Sequence, residues 1–121
     1  MYKVARTFNF SASHIIHGLD TGHPEATLHG HNYTVKVELK IGSSIKPNLK
    51  GFVIDARKFD IIESWIKLEL NRKHLNDVFG GMPPTNENIC HWLYFAFKGM
   101  LNDVSSVELS DMPGSSCKYE E

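Results

Sequence analysis

Five of the seven histidines fall within eighteen residues, and their spacing indicates a metal site. They are His14, His17, His23, His29 and His31. On a strand, residues two apart face the same way, so the segment His29-Gly30-His31 can offer two imidazoles to one ion. His14, at the end of a neighbouring predicted strand, can supply the third. Three nitrogen ligands predict a catalytic zinc site with an open fourth position, because structural zinc sites close all four positions, usually with cysteine.

Each histidine taken alone has a simpler interpretation as an ordinary strand histidine, and a His-x-His pair by itself is weak support for a metal. The two cysteines, Cys90 and Cys117, are distant from the histidines and from each other in sequence, and neither belongs to a Cys-x-x-Cys pair. We therefore expect neither a closed cysteine site nor a disulfide framework.

Two strands are predicted to position the histidines. In residues 3–13 the apolar residues at even positions predict a strand with one buried face: Val4, Phe8, Phe10 and Ala12. The next residue on this face is His14. From residue 32 to residue 41 apolar and polar residues alternate without an error. His29 and His31 continue the apolar parity of this second strand, so we expect them on its core side.

Two amphipathic helices are predicted beyond a loop at residues 42–51, which is rich in Gly, Ser, Pro and Asn. Asp55 can cap a helix that runs to about Leu70, and Thr85 can cap a second helix that reaches Leu101. Residues 105–111 and a segment around Lys118 are predicted strands. The order strand, strand, helix, helix, strand, strand predicts an α+β fold, with a four-stranded antiparallel sheet and both helices on one face.

The length and composition predict a single domain over residues 1–121. A hydrophobic fraction of 41% is typical of a globular protein. The chain has thirteen basic and fourteen acidic residues, so its net charge is close to zero. This balance does not favour binding to nucleic acid or to an anionic membrane. The segment MYKVARTFNF has no continuous apolar run, so we expect neither a signal peptide nor a membrane span. A cytoplasmic protein with a small-molecule partner is the expectation.

Several motifs together resemble those of one enzyme family. They are F-S-A-x-H at residues 10–14, L-H-G-H-N-Y at 28–33, G-x-V-x-D at 51–55, L-x-x-K-H-L-N at 70–76 and P-T-x-E-N at 84–88. In this order and spacing they resemble the 6-pyruvoyltetrahydropterin synthase and 6-carboxytetrahydropterin synthase family. The resemblance implies the tunnelling fold (T-fold), trimers or hexamers of one chain, Zn²⁺ on His14, His29 and His31, and 7,8-dihydroneopterin triphosphate as substrate.

The chain departs from the family at the positions that move protons. Family members have a cysteine four residues before the H-G-H segment as general base, and Glu25 stands there in this chain. A carboxylate can also take up a proton, and the family branch with glutamate resembles a producer of 6-hydroxymethyl-7,8-dihydropterin. Asn71 and Arg72 replace a family aspartate and histidine, and neither can exchange a proton near neutrality.

Further site residues follow from the resemblance. Arg72 can hold the triphosphate or pair with Glu25, and His74 can take over proton transfer or can be an ordinary loop histidine. The family's pterin-binding glutamate lies eight residues before a tyrosine of the last strand, and counting back from Tyr119 gives Asp111, which can instead be an exposed turn aspartate. Two carboxylate oxygens suit a ring N–H and an exocyclic amine. Thr85 and Glu87 match a segment near the pterin, but both are equally explained as residues that start a helix.

Three functions stay open at this stage. The first is a zinc-dependent lyase that cleaves a carbon–oxygen or carbon–carbon bond of a dihydropterin, with Glu25 as base and Asp111 as ring anchor. The second is a zinc-containing pterin- or purine-binding homologue without turnover. The third is a different lyase of the same family, either one whose substrate is no longer the triphosphate or a 6-carboxytetrahydropterin synthase-like enzyme of the queuosine pathway.

Overall fold

The computed structural model describes residues 1–42, 46–48 and 50–121, and its regular elements build one mixed sheet with helices against it. The predicted loop at residues 42–51 lies partly outside the described residues. The strands are β1 (Tyr2–His14), β2 (His29–Ile41), β3 (Lys73–His74), β4 (Val104–Met112) and β5 (Ser115–Glu120). The helices are α1 (Asp60–Glu69), α2 (Leu75–Phe79) and α3 (Asn86–Met100).

The sheet has the order β3-β1-β2-β4-β5. β1, β2, β4 and β5 pair antiparallel, as predicted, while β3 is a fifth strand that runs parallel to β1. The sequence does not predict this short strand, because two residues are too few to show a hydrophobic alternation. It forms because the backbone N–H of Arg72 donates to the carbonyl of Ser11, which draws Lys73 alongside Ala12.

The core lies between one face of the sheet and the helices α1 and α3. Alternating residues of β1 and β2 are buried, including Phe8, Phe10, Tyr33 and Val35, and this parity was read from the sequence. The helices contribute fully buried side chains to the same cluster: Ile62, Ile66, Ile89, Leu93 and Phe97.

Both predicted helix starts are confirmed. The side chain of Asp55 accepts from the backbone N–H of Arg57 and begins a 3-10 turn, Ala56–Phe59, that continues into α1. The side chain of Thr85 accepts from the backbone N–H of Asn88 and caps α3. Within the described residues no helix is long and apolar enough to span a bilayer.

Candidate metal centre and its cavity

The three predicted histidines meet at one end of the β1–β2 ladder. His14 pairs directly with His29 across the two strands, and His31 follows two residues along the same face of β2. The ring centroids form a triangle with sides of 4.5 Å for His14–His29, 5.1 Å for His14–His31 and 4.8 Å for His29–His31. Strand parity places all three on the core side, as the sequence pattern predicts, and the register of β1 with β2 brings the imidazoles together.

Backbone carbonyls fix the orientation of two of the rings. Nδ1 of His14 lies 2.9 Å from the carbonyl oxygen of Pro84, and Nδ1 of His29 lies 2.7 Å from that of Thr27. A carbonyl oxygen only accepts, so both rings carry a proton on Nδ1, and the neutral form of each ring presents a lone pair on Nε2. A second hydrogen bond that fixes the tautomer in this way is typical of metal-binding histidines.

The two Nε2 atoms of His14 and His29 are only 2.8 Å apart. Burial lowers the pKa of His14, although its hydrogen bond to Pro84 opposes the shift, so the neutral ring is favoured. Two lone pairs cannot hydrogen-bond to each other, and a cation between them relieves the repulsion. Nε2 of His31 is also buried and has no hydrogen-bond partner in the described part of the chain, so the donor set fits a metal ion.

Glu25 is the fourth member of this cluster. Its Oε2 lies 3.2 Å from Nε2 of His14 and 3.1 Å from Nε2 of His29. The ligand atoms of Glu25 and the three histidines all lie within 4.8 Å of one another. Glu25 belongs to a 3-10 turn, Pro24–Ala26, whose position is fixed by a hydrogen bond from the backbone N–H of Ile16 to the carbonyl of Glu25.

A cavity of about 430 Å³ opens beside the cluster. We call it the acidic cavity, because Glu25, Glu87 and Asp111 line it and no lysine or arginine among the described residues does. Its wall also includes His14 and Thr85. Five residues predicted for the site from the sequence thus share one cavity. Oδ2 of Asp111 lies 3.8 Å from Nε2 of His31, which places the carboxylate next to the third histidine.

Arg72 and His74 line a different cavity, at the β1–β3 edge of the sheet. The ion pair between Arg72 and Glu25 that the sequence allowed is not among the ion pairs of the described residues. Nδ1 of His74 instead shares a hydrogen bond of 3.0 Å with the hydroxyl of Ser13. The single chain therefore does not bring these two predicted residues to the histidine cluster.

His23 and Asn86 also line the acidic cavity and were not assigned a role from the sequence. Nδ1 of His23 accepts from the backbone N–H of Glu25 at 3.0 Å and so holds the turn that carries this carboxylate. A signal for His23 existed, since it is one of the five clustered histidines. Asn86 occupies the variable position of the P-T-x-E motif, and no sequence pattern indicates that it faces a cavity.

Comparison with known proteins decides the family. The family model for 6-pyruvoyl tetrahydropterin synthase matches residues 3–121. The chain belongs to this family. It is 30% identical to 6-carboxy-5,6,7,8-tetrahydropterin synthase of Haemophilus influenzae, with all of both chains covered. Family membership supports an enzyme of the pterin-lyase type.

Solved structures agree on the fold. The chain superposes on Caenorhabditis elegans 6-pyruvoyl tetrahydropterin synthase with a TM-score of 0.84 at 23% identity, covering 99% of this chain and 95% of that one. It also superposes on a Plasmodium vivax 6-pyruvoyltetrahydropterin synthase with a TM-score of 0.60 at 16% identity, covering 100% and 99% of the two chains. In that P. vivax structure a glutamate described as a catalytic residue is changed to alanine. Together these likenesses confirm the predicted T-fold.

Proposed function

We propose that this chain is a zinc-dependent lyase that converts 7,8-dihydroneopterin triphosphate to 6-hydroxymethyl-7,8-dihydropterin. The observation that carries the proposal is the position of the Glu25 carboxylate, 3.1 Å and 3.2 Å from the ligand nitrogens of two histidines and at the wall of the acidic cavity. A base in that position would be close enough to take a proton from a substrate hydroxyl held beside the three histidines. The catalytic glutamate of the P. vivax enzyme offers a parallel.

Three histidines suit zinc, which favours nitrogen ligands and tetrahedral sites, and with Glu25 as base rather than ligand the fourth position would be left to the substrate. His14, His29 and His31 would hold the ion. When bound, it supplies a Lewis acid that polarises the side-chain oxygens of the substrate. Membership of a family whose enzymes are typically metal-dependent supports this assignment.

The proposed cleavage needs a single base. Glu25 takes the proton from the hydroxyl on the second side-chain carbon, and the bond between the two hydroxylated carbons breaks as that hydroxyl becomes an aldehyde. The electron pair of the broken bond passes to the first carbon, which is conjugated with the pterin ring, and Glu25 returns the proton there. The products are 6-hydroxymethyl-7,8-dihydropterin and a triphosphorylated two-carbon aldehyde, so atoms and charge balance without a co-reactant.

Asp111 is the proposed anchor for the pterin ring, with Thr85 and Glu87 beside it. Two carboxylate oxygens can accept from a ring N–H and from the exocyclic amine at once, which fixes the ring plane. His74, predicted from the sequence for proton transfer, lines the other cavity, so the proposed reaction assigns it no step. Arg72 is considered in the next subsection.

The test is turnover of 7,8-dihydroneopterin triphosphate by the zinc-loaded protein, with products separated by chromatography and a Glu25→Gln variant assayed in parallel. We expect 6-hydroxymethyl-7,8-dihydropterin from the wild type and a rate at least about 100-fold lower from the variant. Zinc content is measured for both proteins, so that loss of the base is distinguished from loss of the metal.

The similarity to the H. influenzae protein favours a second candidate, a 6-carboxy-5,6,7,8-tetrahydropterin synthase-like reaction on the same substrate. The same chromatogram separates the two, because the 6-carboxy product carries an additional negative charge. Pterin binding without any product from the wild type would reject both lyases and leave a zinc-containing pterin-binding homologue.

We also propose that the chain assembles as a trimer or hexamer. Within the described residues, β5 is an edge strand, and β1 pairs on its outer side only at Ala12 and Ser13, where β3 lies. Such open edges have unpaired N–H and C=O groups that a second copy can satisfy. Light scattering on the purified protein measures the assembly, and a monomer at micromolar concentration would reject it.

A further inference from the structure

The second cavity near the histidines has the opposite charge to the first. It has a volume of about 560 Å³, and its polar lining comprises Ser11, Ser13, Asn32, Arg72, Lys73 and His74. We call it the edge cavity, because it lies where β3 joins the edge of β1. His31 lines it as well, so it reaches the wall of the histidine cluster.

The two cations of the edge cavity are available to a ligand. Neither Arg72 nor Lys73 makes an ion pair among the described residues, whereas Arg6, Arg57, Lys67 and Lys118 do. The acidic cavity has the converse arrangement, with three carboxylates and, among the residues that the structure describes, no lysine or arginine. The positive charges that suit a polyphosphate tail therefore lie in the edge cavity and not beside Glu25.

The backbone at Arg72 supports a function for its side chain. Arg72 has a φ of +62°, the one non-glycine residue with positive φ in the described part of the chain. Arginine is disfavoured in this left-handed conformation, which glycine and asparagine tolerate better. The conformation is held because the side chain of Asn71 accepts from the backbone N–H of Ser11 at 3.0 Å and Arg72 N–H donates to the Ser11 carbonyl at 2.6 Å. Strained residues of this kind persist when the surrounding structure fixes them and are concentrated at functional sites.

Neutral donors complete the cavity. The hydroxyl of Ser11 donates to Oδ1 of Asn32 at 2.6 Å, which leaves the amide NH₂ of Asn32 free to donate to a ligand. His74 is oriented by its hydrogen bond to Ser13, so only its Nε2 is left for a ligand. Opposite Ser13 lies Gly30, which has no side chain to fill the space between these groups.

We propose that the edge cavity binds a polyphosphate anion, with Arg72 and Lys73 as its cationic ligands and Asn32 and His74 as neutral donors. Anion binding stands on the geometry of this cavity alone. Its use for the triphosphate tail of the substrate rests on the proposed function.

The first experiment measures binding of inorganic tripolyphosphate to the zinc-loaded protein by calorimetry at fixed ionic strength. We expect the double variant Arg72→Gln/Lys73→Gln to bind at least tenfold more weakly than the wild type. The matched control is Arg57→Gln/Lys58→Gln, which removes an adjacent Arg–Lys pair on another surface and should bind like the wild type. Zinc is assayed after each titration, because tripolyphosphate chelates metal ions.

Equal affinity of the wild type and the Arg72/Lys73 double variant would overturn the proposal, and so would an equal loss of affinity in the control pair. The single variant Arg72→Gly controls for misfolding as a cause of weaker binding, because glycine adopts the φ of +62° without strain. It removes the guanidinium while the turn is kept, and it should also weaken tripolyphosphate binding.

A second experiment identifies the source of the anion. If the cavity holds the substrate tail, the Arg72/Lys73 double variant raises KM for 7,8-dihydroneopterin triphosphate and leaves KM for 7,8-dihydroneopterin unchanged. If the cavity holds a free polyphosphate, tripolyphosphate binding is weakened in the double variant and both KM values stay the same. Binding of tripolyphosphate by a wild type that turns over neither compound would reject the proposed function and support the anion site.

Discussion

Nε2 of His14 lies 2.8 Å from Nε2 of His29, and Nδ1–H of each ring donates to a backbone carbonyl. In their neutral forms the two Nε2 atoms are both acceptors and repel each other, which a bound cation would relieve. We therefore expect a bound metal to stabilise this end of the sheet.

The first prediction concerns removal of that metal. For a protein kept at a free zinc concentration about 1,000-fold above its zinc dissociation constant, chelation should lower the free energy of unfolding by about 4 kcal/mol. Thermal denaturation with and without chelator measures the effect, and elemental analysis should find one zinc per chain. His29→Ala should lose the zinc, while His17→Ala, an exposed histidine outside the cluster, should keep it. Equal zinc content in the two variants would contradict the assignment.

The second prediction tests the ring anchor. Asp111→Asn keeps the shape of the side chain but removes its charge and one of its two acceptor oxygens. A hydrogen bond to a charged group contributes about 1.5–3 kcal/mol, so KM for the pterin substrate should rise by about 10- to 100-fold. Glu108→Gln, on the same strand but outside the lining of the acidic cavity, is the control and should leave KM unchanged. Steady-state kinetics of both variants decide the matter.

The third prediction concerns Tyr33, whose buried hydroxyl has no hydrogen-bond partner among the described residues. Burial, together with the nearby Asp111 carboxylate, raises the pKa of this hydroxyl, so it keeps its proton. Tyr33→Phe removes the unsatisfied group and preserves the ring stacked 4.9 Å from Phe10, so stability should be unchanged or higher by up to about 1 kcal/mol. Tyr33→Ala should cost about 3–5 kcal/mol. Urea denaturation of the metal-free variants measures both, and a large loss in Tyr33→Phe would mean that the hydroxyl has a partner.

The fourth prediction is a pH dependence at the start of α1. Hydrogen bonds from Arg57 lower the pKa of Asp55 from 3.8 to about 2. A carboxyl group whose pKa is depressed by folding stabilises the native state above its unfolded pKa and loses that contribution as the pH falls toward its folded pKa. The melting temperature of the wild type should therefore exceed that of Asp55→Asn near neutral pH, and the difference should shrink between pH 4 and pH 2. The difference is expected to be small, because the pair is fully exposed and screened by solvent. A difference that grows on acidification would reject this account.

The sequence by itself determined which faces the strands and helices bury and where the helices begin. Strand alternation placed His14, His29 and His31 on one side, and short-range hydrogen-bonding preferences identified Asp55 and Thr85 as caps. These features depend on residues within a few positions of one another, so local periodicity and capping chemistry are sufficient to find them.

The tertiary structure decided the features that join distant parts of the chain. The carbonyl of Pro84 orients the ring of His14 from a distant part of the chain, and a backbone carbonyl has no sequence signal, since every residue type carries one. The two-residue strand β3 likewise arises from a backbone hydrogen bond to Ser11, and it places Arg72 and His74 in a cavity apart from Glu25. Local patterns specify the face on which a side chain lies, whereas the distance between two side chains depends on how whole elements pack.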